Sequence, residues 1–78
     1  MPLTQAKLQR ILKIVRFSGG QEALARLSGL GLVRGSKLKV IKNDFCGPLI
    51  LAVDHNRIAV GRGLAQKIEV EEFHAKKN

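Results

Sequence analysis

"LSGLGLVRGSKLKVI", residues 27–41, sets three glycines (Gly29, Gly31 and Gly35) among aliphatic and basic residues. Such a stretch either cradles a phosphate or lets the backbone change direction. A phosphate-binding loop spaces its glycines Gly-x-Gly-x-x-Gly, after a strand and before a helix. Here the third glycine comes one residue late. On the N-terminal side, "QEALARLSGL" repeats Leu24, Leu27 and Leu30 every three positions, with Ala23 filling in. That spacing predicts one face of a short helix, with Glu22 near its positive N-terminal end. On the C-terminal side, "KLKVIK" (37–42) alternates, sending Leu38 and Val40 inward and Lys37 and Lys39 to solvent. A helix precedes the glycines and a strand follows, the reverse of a phosphate-binding turn, so the phosphate reading is rejected. Gly31 is placed to end the helix in the left-handed conformation that glycine adopts cheaply. Gly35, in "VRGS" (33–36), turns the chain into the next strand.

Working outward, "RILKIVRF" (10–17) is rich in β-branched and apolar residues and predicts a strand, which "SGG" (18–20) breaks. Beyond the loop "NDFCGP", "LILAVD" (49–54) and "RIAV" (57–60) predict two strands joined at a His55–Asn56 tip, where Asn56 tolerates positive φ. "GRGLAQ" predicts a single helical turn, and "KIEVEE" (67–72) a last strand with Ile68 and Val70 inward. The tail from residue 73 to 78 is expected to fray. The predicted core is Leu24, Leu27, Leu38, Val40, Leu51, Val53, Ile58, Val60, Ile68 and Val70. The order is strand, helix, three strands, helical turn, strand: a mainly β chain with one short helix. Five short strands around an aliphatic core suggest a small, curved, partly open barrel that removes most exposed edges.

Composition supports a single folded domain over 1–78. A chain of this length buries roughly 60–65% of the surface its unfolded state exposes, so its stability is modest. The hydrophobic content of 45% argues for a core and against disorder. No apolar run is long enough to span a bilayer, and the N-terminus does not have the pattern of a signal peptide, so a cytoplasmic location is expected. The single cysteine, Cys46, excludes an internal disulfide and any multi-cysteine metal site. Fourteen Lys and Arg against six Asp and Glu give a net charge of +8. That balance suits a nucleic acid, an anionic membrane or an acidic protein face and chooses none of them. Many of these charges (Lys13, Arg16, Lys37, Lys39, Lys42) alternate with apolar residues, as on the wet face of a half-buried sheet.

Several segments together resemble the FeoA family, the small cytosolic companion of the bacterial ferrous iron permease FeoB. "MPLTQAK" is similar to the family's opening, "LGLVRG" (Leu30 to Gly35) to its helix-end turn, and "RIAVGRGLAQKIEV" (Arg57 to Val70) to its closing pattern. The likeness runs in register to about Val70 or Glu71, and a complete chain is expected. It implies an SH3-like barrel with an inserted helix, in agreement with the strand order. Many members have proline where Arg34 stands, so the turn here is less rigid and carries an extra charge. The resemblance also implies an accessory role: binding the cytoplasmic part of FeoB, at the inner face of the plasma membrane, and affecting ferrous iron uptake. It supplies no catalytic residues, and its broad association with transition metals finds no ligand cluster in this sequence.

Asp54 and His55 are adjacent at a hairpin tip and offer at most two ligands, where transition-metal sites need three or four. They and Cys46 are the weak metal candidates, and the solvated turn is the favoured reading; no cofactor is expected. No spacing of acids, His or Ser suggests catalysis, so the chain reads as a non-enzyme. Arg34 and Arg62 each occupy a glycine-flanked turn, an exposure that a partner contact needs. With Gly31 and Gly35, they form the expected partner-binding set. A barrel that binds nucleic acid is an alternative suggested by charge alone. It is weakened by the lack of Trp and Tyr, because single-strand-binding barrels stack bases on aromatics. A regulatory barrel like that at the end of metal-dependent repressors is a further alternative, without the DNA-binding helices such proteins carry. Proline-rich peptides are excluded as ligands because their groove is aromatic-lined.

Overall fold

The computed structural model of the chain describes residues 1–44 and 46–74. After a 3₁₀ turn at Leu3–Gln5 come β1 (Ile11–Phe17), α1 (Gln21–Gly29), β2 (Lys37–Lys42), β3 (Leu49–Val53), β4 (Asn56–Val60), α2 (Arg62–Ala65) and β5 (Ile68–Glu72). This is the order the sequence predicts. All five strands form one antiparallel sheet in the order β4-β3-β2-β1-β5. The sheet is not closed, because β4 and β5 do not pair. Its curvature comes from two bulges, where the register slips between Ile14 and Arg16 in β1 and between Val40 and Lys42 in β2. A bulge bends its strand and increases the local twist, which brings both flanks of the sheet over one core.

One edge of that sheet is covered by the start of the chain. The Met1 amino group donates to the Val70 carbonyl at 3.0 Å, and the Val70 N–H donates to the Met1 carbonyl at 2.8 Å. Pro2 bridges Glu69, and Leu3 is fully buried. The opening residues are therefore an element of the fold. At the other end Phe73, expected in a frayed tail, donates its N–H to the Ile11 carbonyl at 2.9 Å. Residues 75–78 of that tail lie outside the described residues.

The core is aliphatic: Leu3, Leu12, Ile14, Leu27, Leu32, Leu38, Val40, Leu49, Leu51, Val60, Ala65, Ile68 and Val70 are all buried. Leu24 is a correction. It is 46% exposed, because α1 has nine residues and turns only Ala23 and Leu27, one helical turn apart, toward the sheet. Val53 and Ile58, also expected in the core, are half-buried and pack against its margin.

The hairpin between β3 and β4 differs from expectation by one residue. Val53 pairs with Asn56, so the tip is Asp54–His55, and Asp54 takes the positive φ of 55° expected at Asn56. Asp and Asn both enter that region at modest cost, which leaves the sequence ambiguous between the two placements.

Candidate functional site

The end of α1 shapes the site. Gly31 (φ 85°) donates to the Ser28 carbonyl at 2.9 Å, and Leu32 donates to the Leu27 carbonyl at 3.0 Å. These are the paired bonds of a Schellman cap, with buried Leu32 and Leu27 as the associated apolar residues. The chain then makes a second turn, in which the Ser36 N–H donates to the Val33 carbonyl at 3.0 Å and the Ser36 Oγ accepts from the Val33 N–H at 3.2 Å. Gly35 has φ 92° at the third position, the type II pattern, and its N–H donates to the Ile14 carbonyl of β1 at 2.8 Å. Arg34 stands at the second position of that turn, exposed and anchored only through its backbone neighbours.

Between this double turn, α1 and the end of β1 runs an open groove of about 440 Å³, lined by Arg16, Phe17, Leu24, Ser28, Leu32, Val33 and Arg34. Its walls are apolar, and Leu24 and Val33 are 46% and 50% exposed. Its charges are the exposed Arg16 and Arg34. The sequence reading reached Arg34, Gly31 and Gly35 but missed the groove. The available signal was a surplus of apolar residues: Leu24 on the helix and Leu30 and Val33 just after it are more than one short helix face and its cap can bury.

Arg62 is in a different setting. It opens α2, is half-buried, and its Nη2 donates to the Asn43 Oδ1 at 2.7 Å and to the Asp44 carbonyl. Asn43 in turn donates its Nδ2 to the Thr4 carbonyl at 3.0 Å. The guanidinium thus ties α2, the loop after β2 and the N-terminal turn together. Its Nε is buried without a partner among the described residues. The structure brings Arg34 together with Gly31 and Gly35 but not with Arg62, which lines none of the groove.

Asp54 and His55 are both exposed at the hairpin tip, and Cys46 is exposed in the loop after β2. Among the described residues no three His, Cys, Asp or Glu side chains lie close enough to hold a metal ion.

The sequence profile of the FeoA domain matches residues 1–72, ending with the last residue of β5. The chain belongs to the FeoA domain family. Over 71 residues it is 44% identical to the "Putative Fe(2+) transport protein A" of Methanocaldococcus jannaschii, covering 91% of this chain and 85% of that one. A crystal structure of a FeoA described as an iron uptake regulatory protein superposes with a TM-score of 0.84 at 30% identity, covering 92% of this chain and 95% of that one. A manganese-dependent transcriptional repressor shares the fold, with a TM-score of 0.85 at 23% identity over 94% of this chain but 41% of the repressor. The fold is thus the SH3-like one that the family resemblance implies and the strand order agrees with, here as an unclosed sheet. No helix of this FeoA domain is long and apolar enough to cross a membrane among the described residues.

Proposed function

We propose that this FeoA protein is a non-enzymatic accessory of ferrous iron uptake that binds the cytoplasmic part of the FeoB permease and modulates its transport from the inner face of the membrane. The observation that carries this reading is the groove between α1 and β1, where Leu24 and Val33 stand exposed beside Arg16 and Arg34. A small domain gains nothing for its own stability by exposing large aliphatics next to one another, whereas an apolar floor with a charged rim is the usual anatomy of a protein contact. In this reading Arg34 reaches the partner, and Gly31 and Gly35 hold the loop that carries it. Arg62 acts from behind, by fixing the loop after β2. Rim arginines raise the association rate more than they lengthen the life of the complex, so Arg34→Ala slows binding and added salt weakens it.

The test is amide-shift mapping of labelled protein titrated with the cytoplasmic domain of FeoB. Shifts at residues 16–17, 24–28 and 31–35 are expected. Shifts confined to 37–42, with none around 31–35, overturn the assignment of the face.

A further inference from the structure

The outer face of the sheet carries a charge pattern that the fold itself does not require. Side chains alternate along a strand, so with Leu12, Leu38 and Leu51 in the core, their neighbours point the other way. The register sets Lys13 directly opposite Lys37, and aligns Ile11, Lys39, Ala52 and Arg57 in one row from β1 to β4. Like charges facing each other across antiparallel strands destabilise a sheet. Yet Lys13, Lys37, Lys39 and Arg57 form no ion pair among the described residues. The Lys37 ammonium instead lies 4.1 Å from the centre of the Phe73 ring.

The carboxylates are mostly committed elsewhere: Glu69 to the N-terminus, Glu72 to Arg10, and Asp44 to Lys42. Two acids border the patch, Glu71 opposite Lys13 and Asp54 beside Lys37 and Lys39, and they do not balance its four cations. Among the lysines sits Ile11, 45% exposed. A nucleic-acid backbone gives an isoleucine nothing to contact, and among the described residues this face offers no stacking aromatic apart from Phe73, already covered by Lys37. An anionic lipid surface answers both features. Its headgroups attract the ammonium groups, and its interfacial layer takes up an apolar side chain.

We propose that this face of the sheet, centred on Ile11, Lys37 and Lys39, adsorbs onto anionic phospholipid bilayers. The contact is electrostatic and peripheral, uses no spanning segment, and does not depend on the FeoB reading, since it needs only lipid.

The test is cosedimentation of the purified full chain with vesicles of phosphatidylcholine and phosphatidylglycerol, against phosphatidylcholine alone and against a mixed-sequence RNA. Binding to the anionic vesicles only, abolished at high salt, is expected. Each lysine removed should weaken it roughly fivefold, so Lys37→Gln with Lys39→Gln loses on the order of twentyfold. Arg26→Gln with Lys67→Gln removes the same charge beside α1, away from this face, and should stay within about threefold of the parent, because distant surface charges are screened. Ile11→Ser should weaken vesicle binding several-fold, with thermal melts confirming that each variant folds. No sedimentation at low salt overturns the proposal. So does an equal loss from both charge pairs, which would mean net charge alone. Tighter binding to RNA that depends on Lys37 and Lys39 but not on Ile11 would make the face a nucleic-acid surface instead.

Discussion

Replacing Arg62 separates a residue that holds the fold from one that meets a partner. Its Nη2 serves two acceptors, and a hydrogen bond from a charged donor contributes about 1.5–3 kcal/mol when well buried. Asp44 is exposed, so water replaces most of what that contact supplies, whereas Asn43 is half-buried and loses more. Arg62→Ala is therefore expected to cost about 2 kcal/mol. At about 0.05–0.15 kcal/mol per residue, a chain of 78 has some 4–12 kcal/mol in total, so this is a sizeable fraction. In a domain of this size it lowers Tm by about 8–16 °C. Arg62→Met keeps the aliphatic stem and deletes the unpartnered Nε, so it should cost less, about 1 kcal/mol. Urea unfolding of Arg62→Ala, Asn43→Ala and the double variant gives the pairwise term, expected near 1 kcal/mol. If Arg62→Ala unfolds at the parent's midpoint, or the cycle shows no coupling, the Arg62–Asn43 contact has no energetic role.

Three further outcomes follow from the geometry. Arg34→Pro should stabilise the chain by about 0.4–1 kcal/mol, since Arg34 holds the turn position that proline favours, while Gly35→Ala at φ 92° should destabilise it by about 1 kcal/mol or more; thermal melts read both. Val40→Ala, at a fully buried site, should cost about 2–3 kcal/mol, half-buried Ile58→Ala less, and Leu24→Ala within about 0.5 kcal/mol of the parent, so chemical denaturation should rank them in that order. The isolated protein should hydrolyse no nucleotide and show no stoichiometric, sub-micromolar Fe(II) site by anaerobic calorimetry, given exposed Asp54 and His55 at a hairpin tip with no third ligand beside them among the described residues.

Most of the architecture was legible because periodicity and glycine position are local signals. The alternation in 37–42 and the helix-ending role of Gly31 each depend on a few neighbouring residues, and both hold in the structure. What escaped depends on contacts distant in sequence. The pairing of Met1 with Val70 leaves no mark on either segment alone. Arg62 looked like an open turn residue because the loop that engages it lies 18 and 19 positions away. Leu24 was misplaced for a different reason. A three-residue repeat in a short helix fits two phases about equally, and only packing against the sheet decides between Leu24 and Ala23.

The position of β1 between β2 and β5 has a consequence for how the molecule comes into being. Leu12 pairs with Glu72, so the strand made first finishes its pairing only when the strand made last is available. On the ribosome β2, β3 and β4 can form their hairpins as they emerge, but one edge of β1 stays unpaired until β5 has been synthesised. Contacts so far apart in sequence must close a long loop before they contribute, which slows folding relative to a domain of the same size held by local contacts alone. The apolar side chains of Leu12 and Ile14 are then the surface that a nascent-chain chaperone would find exposed longest.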